Sequence, residues 1–411
     1  MKTIKPKQLE FLDWEMGVFF HFGIRTYYEG HKDWDMQEMP LDAFDPKQLD
    51  CEQWVRTVKE AGAAYGVLIC KHHDGFANWP SKYTDYSVAN TPWKDGKGDV
   101  VREFVDACRK YDLKIGLYYS PAEFGSRQKS AEEYDQYFIN QISELLGDYG
   151  KIDYLWFDAC GSENHKYDTD RIVKEIRRLQ PEILMFNLWD PDTRWVGNES
   201  GLAARDNRNT VRLLDVSVQT ETREFLQEDT FLPAECDCRI RSQNWFYSEK
   251  DTHTLKSVEE LMGLYYYSVG RGANLLLNIA PDRNGLLPQE DAARFREFGE
   301  AIRAIFANPA ASLENAQRKE NTYSLKLDVP QLMDHLVIEE VLNQGECIEQ
   351  FSVWIHPYDY GCPICVYEGR TVGHKHICKF PPVMTQQLDV MIEKEAAPHT
   401  LKGLTAYKAK R

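Results

Sequence analysis

Short apolar runs recur through the first two hundred residues, each ending in a small or polar residue. They are Gly17–Gly23, Ala64–Cys70, Lys114–Ser120, Tyr154–Asp158 and Ile183–Asn187. Runs of this length without strict alternation suit strands buried on both faces. The segments between them carry apolar residues at helical spacing: Trp54, Val58 and Ala61; Val100–Tyr111; Ala131–Tyr149; and Ile172, Val173, Ile176 and Leu179 within Asp170–Leu179. Strand and helix patterns alternating at roughly 30–50 residue intervals predict βα units and a parallel sheet. Polar residues gather at every strand end, which points to a barrel with its working face at the C-terminal tips.

The regularity then weakens. Residues 188–230 form a long polar stretch holding Trp189, Arg194, Trp195, Asn198 and Glu199, and loops of that length are uncommon unless functional. Strands near Leu214–Val218 and Phe231–Glu235 are expected to continue the barrel, with a helix at Leu261–Val269, a last strand at Asn274–Ile279, a tight turn at Pro281–Gly285 and a last helix over residues 290–306. From about Ala310 the pattern becomes Leu325–Val329, His335–Val341, Cys347–His356 and Leu388–Ile392, separated by turn residues. The expected organisation is a (β/α)8-like barrel over 1–309 followed by a small antiparallel β-sandwich over 310–411.

Composition narrows the function. The 411 residues carry a net charge of −16, which argues against binding nucleic acid or anionic membranes. A hydrophobic content of 43% is enough for a sizeable core. The N-terminal stretch has no apolar segment behind its lysines and no run of 18 apolar residues exists, so the expectation is a cytoplasmic protein without a membrane span. The ten cysteines are expected to be reduced thiols. Cys362 and Cys365 form a CxxC near His374, His376 and Cys378, but no second CxxC follows, so no metal or other cofactor is expected. The oligomeric state is not legible.

Three chemistries compete for the strand-end residues. His21, His72, His73, Asp74 and Asp158 offer ligands for metal-dependent hydrolysis, although no HxH follows the first strand. A glycoside hydrolase needs two carboxyls, one as nucleophile and one as acid then base. Asp158 suits the first role, and Glu123, Glu199 or Glu235 the second; His21, Trp34, His72, His73 and Tyr119 would hold hydroxyls and sugar faces. The third reading is a binding protein without catalysis, in which Asp158 is only a helix N-cap.

The stretches Val18-Phe-Phe-His21-Phe-Gly23, Phe44-Asp45-Pro46, Lys71-His72-His73-Asp74-Gly75-Phe76, Leu117-Tyr-Tyr-Ser120 and Leu155-Trp-Phe-Asp158, in this order, resemble the α-L-fucosidases of glycoside hydrolase family 29, as does Asn274–Asn278 with Pro281 and Gly285. The resemblance covers about residues 11 to 306 and implies a retaining, metal-independent exo-enzyme with Asp158 as nucleophile. Pro191–Glu199 and Pro233–Asp237, leading to Asn244–Tyr247, resemble the subgroup acting on α-1,3- and α-1,4-linked fucose. That implies Glu199 as acid/base and a fucosylated oligosaccharide as partner. Substrate contacts would fall on His21, Asp33, Trp34, His72, His73, Tyr119 and Trp245, with Trp195, Glu235 and Asp237 from the subgroup stretches. Asp33 replaces the family's usual Glu before Trp34, Asp190 a usual Gly, and Gln243-Asn244 a usual Pro-Gly. These departures bear on the leaving-group side.

Overall fold

The structure is a computed structural model and describes residues 3–32, 37–124, 129–161, 165–217, 222–359 and 361–409. The first five βα units form as the pattern predicts. Strands β1 (Met16–Phe20), β2 (Tyr65–Lys71), β3 (Lys114–Tyr119), β4 (Tyr154–Phe157) and β5 (Leu184–Phe186) follow helices α1 (Pro6–Trp14), α2 (Cys51–Ala61), α3 (Val100–Lys110), α4 (Ala131–Gly147) and α5 (Thr169–Leu179). Local signals set the helix starts. Asp50 accepts from the Gln53 N–H (2.9 Å) and Asp99 from the Arg102 N–H (2.8 Å), each satisfying a first-turn donor that would otherwise be orphaned.

The second half of the barrel departs from the expected pattern. Its remaining strands are β6 (Arg194–Trp195), then, beyond a hairpin of β7 (Thr210–Ser217) and β8 (Thr222–Phe231), β9 (Ala234–Arg239) and β10 (Asn274–Asn278). The parallel order is β5-β4-β3-β2-β1-β10-β9-β6. A parallel bridge between Phe186 and Thr193 brings the two ends of this row together. Leu214, expected in a barrel strand, lies in β7, which pairs only with β8. Its place is taken by Arg194–Trp195, held by bonds from Arg194 N–H to Pro233 O (2.9 Å) and Val196 N–H to Glu235 O (3.1 Å). A two-residue strand has no periodicity to read, whereas the hairpin mimics a barrel strand in composition. Among the described residues no helix lies between β5 and β6 or between β6 and β9; α6 (Val258–Tyr267) and α7 (Gln289–Phe306) complete the outer layer.

Strand parity divides the core. Val18, Phe20, Leu68, Leu117, Leu155 and Leu277 face the helices, whereas Phe19, Tyr65, Val67, Tyr118, Trp156 and Leu276 fill the barrel interior. Helix α1 plugs the bottom, with Phe11 against Tyr154 (5.2 Å between centroids) and Trp14 against Tyr65 (5.4 Å). Gly17 is required there: a Cβ would meet the Tyr65 ring at 2.4 Å.

After α7 the chain forms β11 (Pro309–Ser312), β12 (Gln317–Lys319), β13 (Thr322–Glu340), β14 (Ile348–Pro357), β15 (Ile364–Gly369), β16 (His376–Glu395) and β17 (Leu401–Lys408). These pair antiparallel in one continuous sheet with its own apolar core. Two of the expected strands are joined in β13, whose pairing shifts between Lys326 and Gln331, around Pro330. Proline lacks the N–H that the ladder needs. The β domain packs on the barrel through Ile377 N–H to Gly270 O (3.0 Å) and Tyr266 with His335 (2.8 Å). All ten cysteines are unpaired thiols, as expected. Among the described residues no helix is long and apolar enough to cross a membrane.

Candidate active site

The C-terminal mouth of the barrel opens into a cavity of about 400 Å³, within the range of small-ligand sites. Parity decides which side chains reach it. On β1 the inward series is Gly17, Phe19, His21; on β3 it ends in Tyr118; on β4 it continues from Trp156 to Asp158. His21, His72, His73, Asp158, Trp195, Glu199, Asp237 and Trp245, all read from the sequence, line this one cavity.

Asp158 is the centre of the arrangement. Tyr118 Oη donates to its Oδ2 (2.8 Å), the Cys160 N–H donates to its Oδ1 (2.9 Å), and His73 Nε2 lies 3.4 Å from Oδ2. Burial alone would raise its pKa, but His73 overrides that and holds the carboxyl well below the usual range, with the Cys160 N–H and His72 adding to it. Asp158 caps no helix; Asp168 caps α5 instead, accepting from the Arg171 N–H (3.2 Å). The reciprocal effect acts on His73. Burial lowers its pKa, Asp158 more than compensates, and the ring is pushed up to about 10. Its Nδ1 pairs with Ser120 Oγ, which itself donates to Ala122 O (2.7 Å), so Nδ1 carries a proton. The result is an imidazolium fixed at both nitrogens.

His21 is held differently. Asn278 donates its amide N–H to Trp245 O (2.7 Å), which turns its carbonyl oxygen toward His21 Nδ1 (2.7 Å). His21 Nδ1 is thus the protonated nitrogen and Nε2 an acceptor. Burial, with the neighbouring His72, holds its pKa well below the ordinary value, so the ring is neutral. The aromatic walls are ordered around these groups: Tyr118 stacks on His72 (8° between planes) and on Trp156 (20°), and Trp245 stacks on His21 (4.9 Å).

The remaining carboxyls are pushed the other way. Glu199 is exposed as a residue, but its carboxyl faces the cavity; desolvation raises its pKa, Arg239 opposes this and Asp158 adds to it. Asp237 is buried, accepts from Trp195 Nε1 (2.6 Å), and is raised well above the ordinary value by burial, with Glu199 and Glu235 contributing.

Two expected contacts do not reach the cavity. Tyr119 points outward between β3 and α4, where its hydroxyl donates to Gln141 Oε1 (2.7 Å); the inward tyrosine is Tyr118. The Tyr-Tyr pair hid a one-residue choice of face, which in a strand sends a side chain to the opposite side. Glu235 is fully enclosed at the bottom of the barrel, accepting from Tyr65 Oη (2.6 Å), Trp156 Nε1 (2.8 Å) and Tyr154 Oη (3.2 Å). It sits at the first inward position of β9, roughly 7 Å below Asp237 at strand rise. Asp33 and Trp34 lie outside the described residues.

Tyr118, Arg25, Phe124, Trp156 and Cys160 also line the cavity without having been singled out. Parity counted back from Asp158 would have found Trp156. Phe124 comes from a loop and is accommodated by Gly161, where φ is +77° and a Cβ would meet the Phe124 ring at 2.1 Å.

Among the described residues, His72, His73 and Asp158 form the one group whose ligand atoms lie close enough (within 4.8 Å) to hold a metal ion. Cys362, Cys365, His374, His376 and Cys378 do not converge in this way. To ligate a metal, His73 would have to release the proton on Nε2.

The sequence profile of the family described as alpha-L-fucosidase matches residues 2–304. The chain belongs to glycoside hydrolase family 29, the α-L-fucosidases. It is 30% identical to alpha-L-fucosidase 1 of Arabidopsis thaliana over 440 aligned positions, covering 96% of this chain and 86% of the relative. A family 29 glycoside hydrolase from an unknown rumen bacterium superposes with a TM-score of 0.89 at 32% identity, covering 100% of this chain and 78% of that one. A Ruminococcus gnavus GH29 fucosidase in complex with fucose gives a TM-score of 0.86 at 25% identity, covering 100% and 95%. As a family 29 member the enzyme is a glycoside hydrolase with exo-fucosidase activity.

Proposed function

We propose that this fucosidase releases terminal L-fucose from α-1,3- or α-1,4-fucosylated oligosaccharides with retention, through a fucosyl-enzyme on Asp158. The observation that carries this reading is the opposite displacement of two carboxyls in one cavity: Asp158 held ionised by His73, Glu199 pushed toward its protonated form. Environments that separate two carboxyls in this way assign nucleophile and acid. In the first step an Asp158 oxygen bonds to the anomeric carbon as the glycosidic bond breaks and Glu199 gives its proton to the leaving oxygen. In the second, Glu199 takes a proton from water, which displaces Asp158 and frees fucose. Tyr118 and His73 orient the nucleophile; neutral His21 accepts a sugar hydroxyl. The 1,3/1,4 preference is supported by the Pro191–Glu199 and Pro233–Asp237 stretches.

Asp158→Ala should lose several orders of magnitude in kcat, with partial rescue by azide; unchanged turnover overturns the assignment. Glu199→Ala should slow glycosides with poor leaving groups far more than aryl fucosides with good ones. A panel of natural linkages tests the 1,3/1,4 preference. The His72–His73–Asp158 group supports one rival, a metal-assisted hydrolysis. Metal analysis with chelator treatment separates the two, since full turnover at zero metal content excludes the rival.

A further inference from the structure

The segment that carries Glu199 has no ladder of its own. Residues 196–209, between β6 and β7, form no helix or strand, so the aim of the Glu199 carboxyl is set by whatever pins the segment. The first half is fastened to the barrel. Val196 N–H donates to Glu235 O (3.1 Å) on β9, and Ala203 N–H donates to Tyr267 O (2.7 Å) at the end of α6. Between them, Asn198 closes a turn around Glu199, accepting from the Ser200 N–H (3.0 Å) and donating to Leu202 O (2.9 Å). Gly201 seats that turn against β9: its φ is +73°, and a Cβ would meet Cys238 Sγ at 2.7 Å. Arg194 draws the two ends of the segment together, donating to Trp195 O (3.1 Å) at one end and to Asn207 Oδ1 (2.6 Å) and Arg208 O (2.8 Å) at the other. A surface segment with its ends held close is an Ω-loop.

The second half of the loop is fastened to the β domain. Glu346, just before β14, accepts from the backbone N–H groups of Asn209 (2.7 Å) and Thr210 (3.3 Å). Arg208 reaches Glu349 Oε1 (3.1 Å), and Arg205 donates to Glu368 O (2.6 Å). Glu346 is the strongest of these anchors. The Arg208–Glu349 pair is partly exposed, where ion pairs contribute little. Glu346 instead makes charge-assisted bonds to two fixed backbone donors. Its charge also offsets the burial of the Arg194 guanidinium, which bridges the base of the loop. Asn209, held by Glu346, in turn accepts from the Ala234 N–H (2.9 Å) at the start of β9. Removing Glu346 would strand two backbone donors and leave Arg194 less compensated, both at the base of the loop that presents the proposed acid.

We propose that the β domain positions the catalytic acid, with Glu346 as the positioning residue that fixes the base of the Glu199 loop. The proposal rests on Glu199 being the acid. The test is kcat/KM, which reads the first bond-breaking step, on a fucosyl oligosaccharide and on an aryl fucoside with a good leaving group. It compares the wild type with Glu346→Ala, Glu346→Gln and Glu199→Ala. A misplaced acid slows cleavage only where the leaving oxygen needs its proton. A displacement of about 1 Å can cost about 100-fold, so Glu346→Ala should lose on the order of 10- to 100-fold on the oligosaccharide and stay within about twofold on the aryl fucoside. Glu346→Gln keeps one carbonyl acceptor and should show the same pattern at smaller size; it carries the test if the Ala variant does not fold. Asp389→Ala, whose partners His356 and Gln387 lie within the β domain, controls for a weakened domain and should match the wild type on both substrates. An equal loss on both substrates in the Glu346 variants, or a loss on neither, overturns the proposal, as does a leaving-group-dependent loss in Asp389→Ala. Absence of leaving-group dependence in Glu199→Ala overturns the acid assignment and this proposal with it. Its presence there and absence in the Glu346 variants overturns this proposal alone.

Discussion

Replacing His73 by Asn tests whether that imidazolium is what keeps Asp158 ionised. The substitution removes the cation 3.4 Å from Oδ2 and leaves the Tyr118 and Cys160 donors in place. Breaking a buried ion pair costs about 3–5 kcal/mol. The lower end applies because 27% of the Asp158 side chain reaches solvent and two hydrogen bonds remain. About 3 kcal/mol corresponds to roughly 2 pH units. Asp158 then titrates about that much higher, toward the ordinary carboxylate value, with the Cys160 N–H still holding it down. The nucleophile must be charged, so activity is lost as pH falls through its pKa. The acidic limb of kcat/KM on an aryl fucoside should therefore move to higher pH by about 2 units in His73→Asn, with circular dichroism at each pH confirming the fold. The absolute rate also falls if His73 holds a sugar hydroxyl, but that does not move the limb. An acidic limb unchanged between the two proteins refutes the coupling.

The two adjacent tyrosines should separate cleanly. Tyr118→Phe removes a hydrogen bond to a charged group, about 1.5–3 kcal/mol, and should cost on the order of 10- to 100-fold in kcat/KM, whereas Tyr119→Phe should leave kinetics within about twofold and lower thermal stability by about 1 kcal/mol; the reverse ranking would place the wrong face of β3 in the cavity. Burial pushes Glu235 up to about 7, against three hydrogen bonds that lower it. A carboxyl whose folded pKa is raised contributes stability fully below its ordinary value and loses it as pH rises through about 7. Relative to Glu235→Gln, the wild type should therefore lose on the order of 3 kcal/mol between pH 4 and pH 8, read from melting temperatures; parallel curves would show that Glu235 does not titrate in this window.

The barrel's first five units were legible because each strand is a run of three to seven residues, nearly all buried, and the amphipathic helices α2 to α5 separate successive strands. The back half was not, because β6 needs only Arg194 and Trp195 and is held by hydrogen bonds to the flanks of β9, a relation between residues about forty apart that leaves no local pattern. The candidate site followed the same division. Residues at strand tips, such as His21, His72, His73 and Asp158, were found because position in sequence fixes height in the barrel. Which of two neighbours faces inward was not, since Leu117-Tyr118-Tyr119-Ser120 offers an aromatic on either parity. Glu235 was misjudged in height: inward on its strand, but one layer too deep to be touched.

That depth bears on the choice between Glu199 and Glu235 as proton donor. An acid must come within hydrogen-bond reach of the leaving oxygen in both steps. Glu235 has a raised pKa, which would suit it electrostatically, yet its oxygens are occupied by Tyr65, Tyr154 and Trp156 and it has no exposed surface. The Trp156 indole that donates to it also lines the cavity, so the carboxyl lies beneath an aromatic floor. A proton leaving Glu235 has no path to a bound sugar that does not displace that ring. Glu199 lines the cavity itself beside Trp245 and is raised by desolvation and by Asp158, with Arg239 opposing. Perturbed pKa values alone nominate both residues, and Asp237 with them; of Glu199 and Glu235, only Glu199 lines the cavity, which supports the proposed assignment. Glu235 instead fixes the indole against which Tyr118 stacks, and through Tyr118 the oxygen of Asp158.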